Sequence, residues 1–339
     1  YGVVTVLMKP IGPLSFFILL AVWGLSMTGC RTTNTNAGAT GSPVFVAMRD
    51  ELAPLSLPEQ SITPTIREYY REAIGSVPGV RHDTGTVLVT PDIGKPFRAS
   101  VHVWQPADRK GETVFLVHGY LAHPLQHRDL IQELLRRRFV VVAPELPGHG
   151  LSDGERGAIT DFQVYGTFLE TVLSHLDGAV PAPWHAVGHS TGATTIYEYL
   201  RGHDDPFEAV VFVAPLVRSK FYRLARFGRF LSRPFLDSVA TGYHDPLGVA
   251  RMPLSWFDRQ VEWNRRSKNF EIVPRPVLVL QGTRDTVVAW RYNRRFLREA
   301  FTGVSYRLFD GADHVLYREA APVGPEAVAI TADYVESTD

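Results

Sequence analysis

The 339-residue sequence lacks the features that mark several large protein classes. It contains one cysteine, Cys30, so no intramolecular disulfide can form. Lys+Arg and Asp+Glu both total 35, so the formal net charge is zero and no overall attraction to nucleic acid is expected. No Cys/His cluster has metal-ligand spacing and no H-E-x-x-H pair occurs, so no metal site is predicted.

The composition is that of a folded globular chain. Apolar residues make up 45% and charged residues 21%. The length suffices for one large α/β domain or two small domains. No internal repeat of solenoid period is present, which excludes a repeat architecture.

The N-terminal residues have the pattern of an export signal. Met8-Lys9 precedes an apolar run over about residues 14–25, and small residues follow. The run is short for a membrane-spanning helix. The chain begins with Tyr1, and we interpret Met8 as the true start.

Thr28-Gly29-Cys30 resembles the lipobox of bacterial lipoproteins, in which the cysteine becomes the lipid-carrying N-terminus. The resemblance implies removal of residues 1–29, lipidation of Cys30 and attachment of the exported protein to a membrane of the bacterial cell envelope, either inner or outer. An uncleaved membrane anchor and a plain buried cysteine are the alternatives. Residues 30–60, which begin with Thr, Asn, Gly and Ala, are predicted to be a flexible tether.

Residues 61–339 alternate between strand-like and helix-like segments. Strands are predicted at residues 84–90, 99–104, 114–117, 139–143, 184–187, 209–213, 276–280 and 306–309, and helices at 130–137, 162–176, 193–200, 293–300 and 325–335. Several strands are apolar on both faces, which predicts a mostly parallel α/β sheet covered by helices on both sides. Residues 216–269 interrupt this alternation, and we expect a helical cap there with no strand.

A G-x-S-x-G motif provides the candidate nucleophile. Gly188-His189-Ser190-Thr191-Gly192 lies between a predicted strand and a predicted helix, which is the context in which this motif forms a nucleophile elbow. The glycines permit close backbone approach, and the strained turn exposes the serine hydroxyl. The sequence therefore predicts Ser190 as the nucleophile of a serine hydrolase, against the alternative of an ordinary Gly/Ser turn.

A serine nucleophile needs a base, and the base needs an orienting acid. On this strand–elbow–helix arrangement the chain order is Ser, then acid, then His. His314 is the only histidine after Asp285, and each follows a predicted strand. We therefore predict a Ser190–His314–Asp285 triad, with Asp310 and Asp313 as fallback acids.

Acyl transfer also requires an oxyanion hole. The Thr191 amide, directly after the nucleophile, is one expected donor. The loop His118-Gly119-Tyr120 follows an apolar strand and is expected to supply the Tyr120 amide as the other. His118 precedes Ser190, so we expect it to hold this loop rather than act as the base.

Together these motifs resemble the monoacylglycerol lipase and lysophospholipase branch of the α/β-hydrolase superfamily. The most specific match is the G-H-G-x-S-x-G-x-R-G run at residues 148–157, and the resemblance covers roughly residues 113–335. It implies hydrolysis of carboxylic esters without a metal or other cofactor. Arg156, in this glycine-rich run, is expected to pair with an acidic neighbour and fix the loop.

The first part of the cap is basic and aromatic. Its cations, with no acid among them, are Arg218, Lys220, Arg223, Arg226, Arg229 and Arg233, and the interleaved apolar and aromatic residues are Phe221, Tyr222, Leu224, Phe227, Phe230 and Leu231. Such a helix can lie on an anionic lipid surface. The alternative is a solvated basic face on a helix packed over the core.

The resulting hypothesis is a lipid-anchored serine esterase that acts on acyl esters of lipids through an acyl-enzyme. An acyltransferase, thioesterase or peptidase would use the same triad, because a fold does not fix the chemistry. A non-catalytic lipoprotein that binds lipid or a partner is a more distant alternative. No nucleic-acid partner is expected, and the oligomeric state stays open.

Overall fold

The computed structural model describes residues 43–57, 63–75, 77–232, 236–241, 245 and 247–337. The predicted signal segment and Cys30 lie outside these residues. No helix in the described ranges is both long enough and apolar enough to cross a membrane.

An eight-stranded sheet forms the centre of the molecule, in the order β1-β2-β4-β3-β5-β6-β9-β10. Strand β2 is antiparallel to both neighbours, and the other pairs are parallel. The strands are β1 Val80–Val89, β2 Phe97–Pro106, β3 Thr113–Val117, β4 Val140–Pro144, β5 Trp184–His189, β6 Phe207–Val213, β9 Val273–Gly282 and β10 Phe301–Phe309. The predicted mostly parallel α/β architecture is confirmed.

Helices flank the sheet and connect its strands. They are α1 Pro43–Asp50, α2 Pro64–Ile74, α3 Arg128–Arg136, α4 Gln163–Leu176, α5 Thr191–Leu200, α6 Tyr222–Ser232, α7 Leu254–Arg266, α8 Trp290–Ala300 and α9 Val323–Glu336. Short 3₁₀ helices occur at Pro124–His127, Ser267–Asn269 and Leu316–Arg318.

The central strands of the sheet are buried on both faces. In β4, Val140 and Val142 belong to one apolar cluster, whereas Val141 and Ala143 belong to another on the opposite face. Alternate side chains of a strand point to opposite faces, so a strand between two helical layers has to be apolar throughout. This is the physical reason why the continuous apolar runs of the sequence could be identified as strands.

Part of the segment predicted to be a tether is folded. Residues 43–50 form α1, whose Phe45 and Met48 are buried in the same cluster as Leu52. The prediction of a flexible tether over residues 30–60 is therefore wrong for its described part from residue 43 to 57. An apolar helix face was overlooked there because the preceding residues are polar and aperiodic.

The cap also departs from the prediction of a strand-free insertion. Between β6 and β9 it contains the helices α6 and α7 and a two-stranded antiparallel sheet, formed by β7 Ser238–Ala240 and β8 Arg251–Pro253. Strands of three residues are too short to give a periodic pattern.

Parallel pairing brings the functional loops to one edge of the sheet. Val117 of β3 pairs with Gly188 of β5, and Phe309 of β10 pairs with Gly282 of β9. The loops that follow these strands consequently emerge at the carboxyl edge, where ligand sites of α/β proteins form.

Candidate active site

Ser190 occupies a sharp turn between β5 and α5. Its φ of 53° and ψ of −112° lie outside the ordinary regions for a residue with a side chain. Such a backbone costs of order 1–3 kcal/mol and persists only where its surroundings hold it. Here the Ser190 N–H donates to the Val213 carbonyl at 2.9 Å, and the Leu216 N–H donates to the Ser190 carbonyl at 3.1 Å.

The two motif glycines allow this turn to pack closely. A Cβ atom on Gly188 would lie 2.6 Å from the Ala193 nitrogen, and one on Gly192 would clash with the Val117 carbonyl. Both positions therefore exclude larger residues. Gly188 thus lets the first turn of α5 approach β5, and Gly192 lets it lie directly against the end of β3.

Asp285 and His314 meet at the carboxyl edge, as the chain order predicted. His314 Nδ1 lies 2.8 Å from Asp285 Oδ2. Because an ionised carboxylate only accepts hydrogen bonds, Nδ1 carries the proton, and Nε2 keeps a lone pair. His314 therefore has the tautomer that a general base requires.

Further donors hold the Asp285 carboxylate. The Val287 and Val288 amides donate to Oδ1 at 2.8 and 2.9 Å, and the Gln281 side chain donates to Oδ2 at 3.0 Å. Burial acts to raise the pKa of Asp285, but the His314 charge and hydrogen bond together with the two amides bring it below its ordinary value. Asp285 is thus held as an anion. Gln281 was not predicted as a site residue, although its position at the end of β9 places it near the acid.

Ser190 and His314 are nearly buried, with exposed fractions of 5% and 7%. His189, the residue before Ser190, contacts His314. The two rings lie 4.9 Å apart, and His189 Nε2 is 3.2 Å from the His314 carbonyl. None of the hydrogen bonds among the described residues joins the Ser190 hydroxyl to the His314 ring. Such bonds often form fully only when substrate is present.

The fallback acids Asp310 and Asp313 form hydrogen bonds with other groups than the His314 ring. Asp313 Oδ1 accepts hydrogen bonds from the Thr286 and His314 amides at 2.9 and 2.8 Å. Asp310 accepts one from the Thr283 hydroxyl at 3.0 Å. Both carboxylates join the loops after β9 and β10, and Asp285 is the acid that contacts the His314 ring.

The two expected oxyanion donors flank Ser190. A Cβ atom on Gly119 would lie 3.2 Å from the Ser190 Cβ, so the loop that carries Tyr120 packs directly against the nucleophile elbow. Within the described part of the chain, neither the Tyr120 nor the Thr191 amide donates a hydrogen bond to a protein acceptor. Both amides are consequently available to a ligand.

His118 has the structural role expected of it. Its Nδ1 donates to the Gly119 carbonyl at 2.8 Å, and its Nε2 accepts from the Leu146 amide at 3.0 Å. Burial lowers the pKa of His118 to about 4, so the ring is neutral at physiological pH. Although several histidines surround the site, the described residues contain no group of His, Cys, Asp or Glu side chains arranged to hold a metal.

Arg156 fixes the glycine-rich loop, but not by the predicted ion pair with an acidic neighbour. Its guanidinium donates to the Gly150 carbonyl at 2.7 Å and to the Leu247 and Gly248 carbonyls at 2.8 and 3.1 Å. The expectation was wrong because the acceptors are main-chain atoms, two of them in the cap. Asp153, an acid close to Arg156 in the sequence, accepts hydrogen bonds from the side chains of Arg98 and Arg49 instead.

The basic and aromatic residues of the cap serve different purposes. Arg218 is half-buried, with its guanidinium 3.7 Å from the centre of the Tyr292 ring. Arg229 pairs with Asp258 at 2.9 Å. In contrast, four apolar side chains of α6 are 57–74% exposed, namely Leu224, Phe227, Phe230 and Leu231. Arg233 lies outside the described residues.

Known proteins resemble the chain over most of this architecture. A family model described as Serine aminopeptidase, S33 matches residues 108–266. A monoglyceride lipase homolog of monkeypox virus is 27% identical over 65% of this chain and 87% of its own length, and phospholipase YtpA of Bacillus subtilis is 23% identical over 63% and 91%. The crystal structure of a Paleococcus ferrophilus monoacylglycerol lipase superposes with a TM-score of 0.54 at 26% identity, covering 67% of this chain and 95% of that chain.

Proposed function

Since the chain is a serine hydrolase of the α/β-hydrolase S33 family, in the branch of the monoglyceride lipases and phospholipases, we propose that it hydrolyses acyl esters of monoacylglycerol or lysophospholipid type. The observation that carries the proposal is the 2.8 Å contact between His314 Nδ1 and Asp285 Oδ2, beside the strained Ser190 turn. The substrate class is supported by the similarity to a monoglyceride lipase homolog and a phospholipase and by the exposed apolar face of α6.

In the proposed reaction, the Ser190 hydroxyl oxygen attacks the acyl carbonyl carbon while its proton passes to His314 Nε2. The Tyr120 and Thr191 amides donate to the oxyanion that forms. When the carbon–oxygen bond to the alcohol breaks, His314 returns the proton to the leaving alcohol. Water then attacks the acyl-enzyme with His314 as base, releasing the fatty acid and restoring Ser190.

Replacement of the nucleophile tests this assignment. Ser190→Ala should lower kcat on a p-nitrophenyl acyl ester by several orders of magnitude and abolish labelling by a fluorophosphonate. Retention of most activity would contradict the triad. Glycerol esters and lysophospholipids of graded chain length would then define the preferred substrate, and competing acceptor alcohols would separate hydrolysis from acyl transfer.

A peptidase is the second candidate function, because the matching family model is described as a serine aminopeptidase. The same triad attacks amides as well as esters. Aminoacyl p-nitroanilides distinguish the two: faster turnover of these amides than of lipid esters at equal concentration would favour the peptidase.

We also propose that the exposed apolar face of α6 rests on a lipid surface, and that the protein is attached to a membrane of the bacterial envelope through Cys30. The first part is supported by the exposure of Phe227 and Phe230, and the second by the lipobox-like residues at 28–30. Mass spectrometry of the N-terminal peptide from a membrane fraction tests the second part. An unmodified, unprocessed N-terminus would rule it out.

A further inference from the structure

Tyr120 connects the reacting centre to the cap. Its main-chain amide is one of the two proposed oxyanion donors. Its ring stacks on Trp256 of α7, with centroids 3.9 Å apart and planes inclined by 16°. Its hydroxyl donates to the Gly157 carbonyl at 2.7 Å. One residue therefore has its amide at the site and its side chain held by other elements.

The Trp256 ring is itself firmly placed. It is 5% exposed, its Nε1 donates to the Tyr165 hydroxyl at 2.9 Å, and it packs against Phe162 with ring centroids 5.4 Å apart. On the same helix, Trp263 Nε1 donates to Glu198 Oε1 at 2.6 Å. The contacts of Trp256 with Tyr165 and Phe162 fix the surface on which Tyr120 stacks to the core, whereas the contact of Trp263 attaches the C-terminal half of α7 to α5.

The acceptor of the Tyr120 hydroxyl is also pressed against the cap. Gly157 has a φ of 69°, and a Cβ atom there would lie 2.9 Å from Val249 Cγ1 and 3.2 Å from Pro253 Cδ. The neighbouring Arg156 donates to the Leu247 carbonyl at 2.8 Å. The ring and the hydroxyl of Tyr120 are consequently both positioned by contacts that lead into the cap.

We propose that Trp256 is a positioning residue for the oxyanion hole, acting through the stacked ring of Tyr120. This inference rests on the proposed function, because it assumes that the Tyr120 amide binds the oxyanion. The described contacts of the Trp256 ring are to Tyr120, Tyr165 and Phe162 rather than to Ser190 or His314. Loss of the stack lets the Tyr120 loop move relative to Ser190, and a displacement of about 1 Å in a catalytic group costs on the order of a hundredfold in rate.

Loss of the Trp256 ring is therefore predicted to slow the chemical step rather than to weaken substrate binding. Hydrogen bonds to a developing oxyanion act mainly in the transition state, so their loss lowers kcat with little change in KM. A residue that only stabilises the fold would lower the melting temperature without this selective effect.

Two tryptophans of α7 provide a matched comparison. Trp263 is also buried and also donates through Nε1, but it packs on Phe162, with ring centroids 5.6 Å apart, and not on Tyr120. Kinetics on p-nitrophenyl acetate and inhibition by a trifluoromethyl ketone, which places an anionic oxygen in the hole after serine addition, should be measured for Trp256→Leu, Trp256→Phe and Trp263→Leu.

Trp256→Leu should lower kcat at least tenfold with KM within about twofold, and should weaken inhibition by the ketone in proportion to kcat. Trp256→Phe keeps a ring on Tyr120 and should recover most of both losses. Trp263→Leu should lower the melting temperature but leave both kcat and the affinity for the ketone within about threefold of the parent values. The proposal is overturned if kcat of Trp256→Leu stays within threefold of the parent, or if Trp263→Leu reproduces its kinetic pattern.

If Trp256→Leu does not fold, Tyr120→Leu provides the alternative, because it retains the amide and removes the stacked ring. It should show the same fall in kcat and ketone affinity, and unchanged values would overturn the proposal. The outcome is separable from the proposed function: a fluorophosphonate-reactive, Ser190-dependent esterase that is unaffected by both substitutions would remove only the role of Trp256.

Discussion

The ring of His314 and the carboxylate of Asp285 form a 2.8 Å hydrogen bond between two loops that follow neighbouring parallel strands. The bond fixes the proton on Nδ1 and leaves Nε2 as a proton acceptor facing away from the acid. Asp285 has two further amide donors on Oδ1, which orient its carboxylate independently of His314. The pair is thus pre-organised before any substrate binds.

Replacing the acid should affect rate far more than stability. We expect Asp285→Asn to lower kcat by about 10⁴, because an amide in this position favours the wrong His314 tautomer. Asp313→Asn is the control: Asp313 accepts from the Thr286 amide and joins two loops, so its loss should lower the melting temperature with kcat within about tenfold. Steady-state kinetics on a soluble p-nitrophenyl ester measures both, and a larger loss for Asp313→Asn would reverse the assignment.

Acid should destabilise the folded protein through its buried histidines. Burial lowers the pKa of His118 to about 4 and that of His189 to about 3. An unfolded histidine has a pKa of about 6.5, so below this pH the unfolded chain binds protons that the folded chain does not. The free energy of unfolding should therefore fall as the pH falls from 6.5 towards 4, by up to about 1.4 kcal/mol per pH unit for each group.

Urea unfolding at several pH values between 8 and 4 measures this dependence. His189→Gln should flatten the slope, whereas His203→Gln, at an exposed position, should leave it unchanged. A stability that stays constant between pH 6.5 and 5 would show that the buried rings do not control acid unfolding.

The proposed contact of the cap with a lipid surface predicts that lipid binding and hydrolysis can be separated by substitution. Phe227 and Phe230 are 61% and 74% exposed on α6. Full burial of a Phe side chain contributes about 1.5–3 kcal/mol, so Phe227→Ser combined with Phe230→Ser should weaken binding to vesicles containing phosphatidylglycerol at least tenfold. Hydrolysis of soluble p-nitrophenyl acetate should not change.

Sedimentation with the vesicles and the soluble assay test this pair of outcomes. Leu88→Ser is the matched control, because Leu88 is 63% exposed on the edge strand β1, outside the cap. Equal vesicle binding by the double variant and the parent would mean that α6 does not contact lipid.

The sequence could predict those parts of the fold that follow from local pattern. The apolar runs of β3, β4 and β5 are buried on both faces, and that is why they were identifiable. Ser190, Asp285 and His314 could be predicted to lie at one edge of the sheet, because each follows a strand and parallel strands end at the same edge. Residues that are far apart along the chain are therefore expected to be close in space at this edge of the sheet.

Long-range contacts could not be predicted in this way. Arg156 contacts the cap carbonyl of Leu247, 91 residues away, where no charge pattern marks an acceptor. The stacking of Tyr120 on Trp256 joins two segments with no shared motif. The paired strands of the cap were missed because three residues give no periodicity.

The helix α1 provides the last prediction, since its buried Phe45 and Met48 indicate that residues 43–50 belong to the folded domain. Phe45 is 2% exposed in α1, with the Arg156 guanidinium 5.4 Å from its ring centre, whereas the neighbouring Val46 is 44% exposed. Truncating a buried Phe costs about 3–5 kcal/mol, and we expect Phe45→Ala to destabilise the protein by about 3 kcal/mol or more. Val46→Ala should stay within about 0.5 kcal/mol of the parent.

Urea unfolding followed by tryptophan fluorescence compares these two substitutions. The difference between them distinguishes a docked helix from a tether, since in a tether both side chains would be solvated and both changes nearly neutral. If Phe45→Ala changes the free energy of unfolding only slightly, residues 43–50 belong to a flexible segment instead. A large effect would show that α1 is docked beside the loop that Arg156 attaches to the cap, because Phe45 packs against that guanidinium.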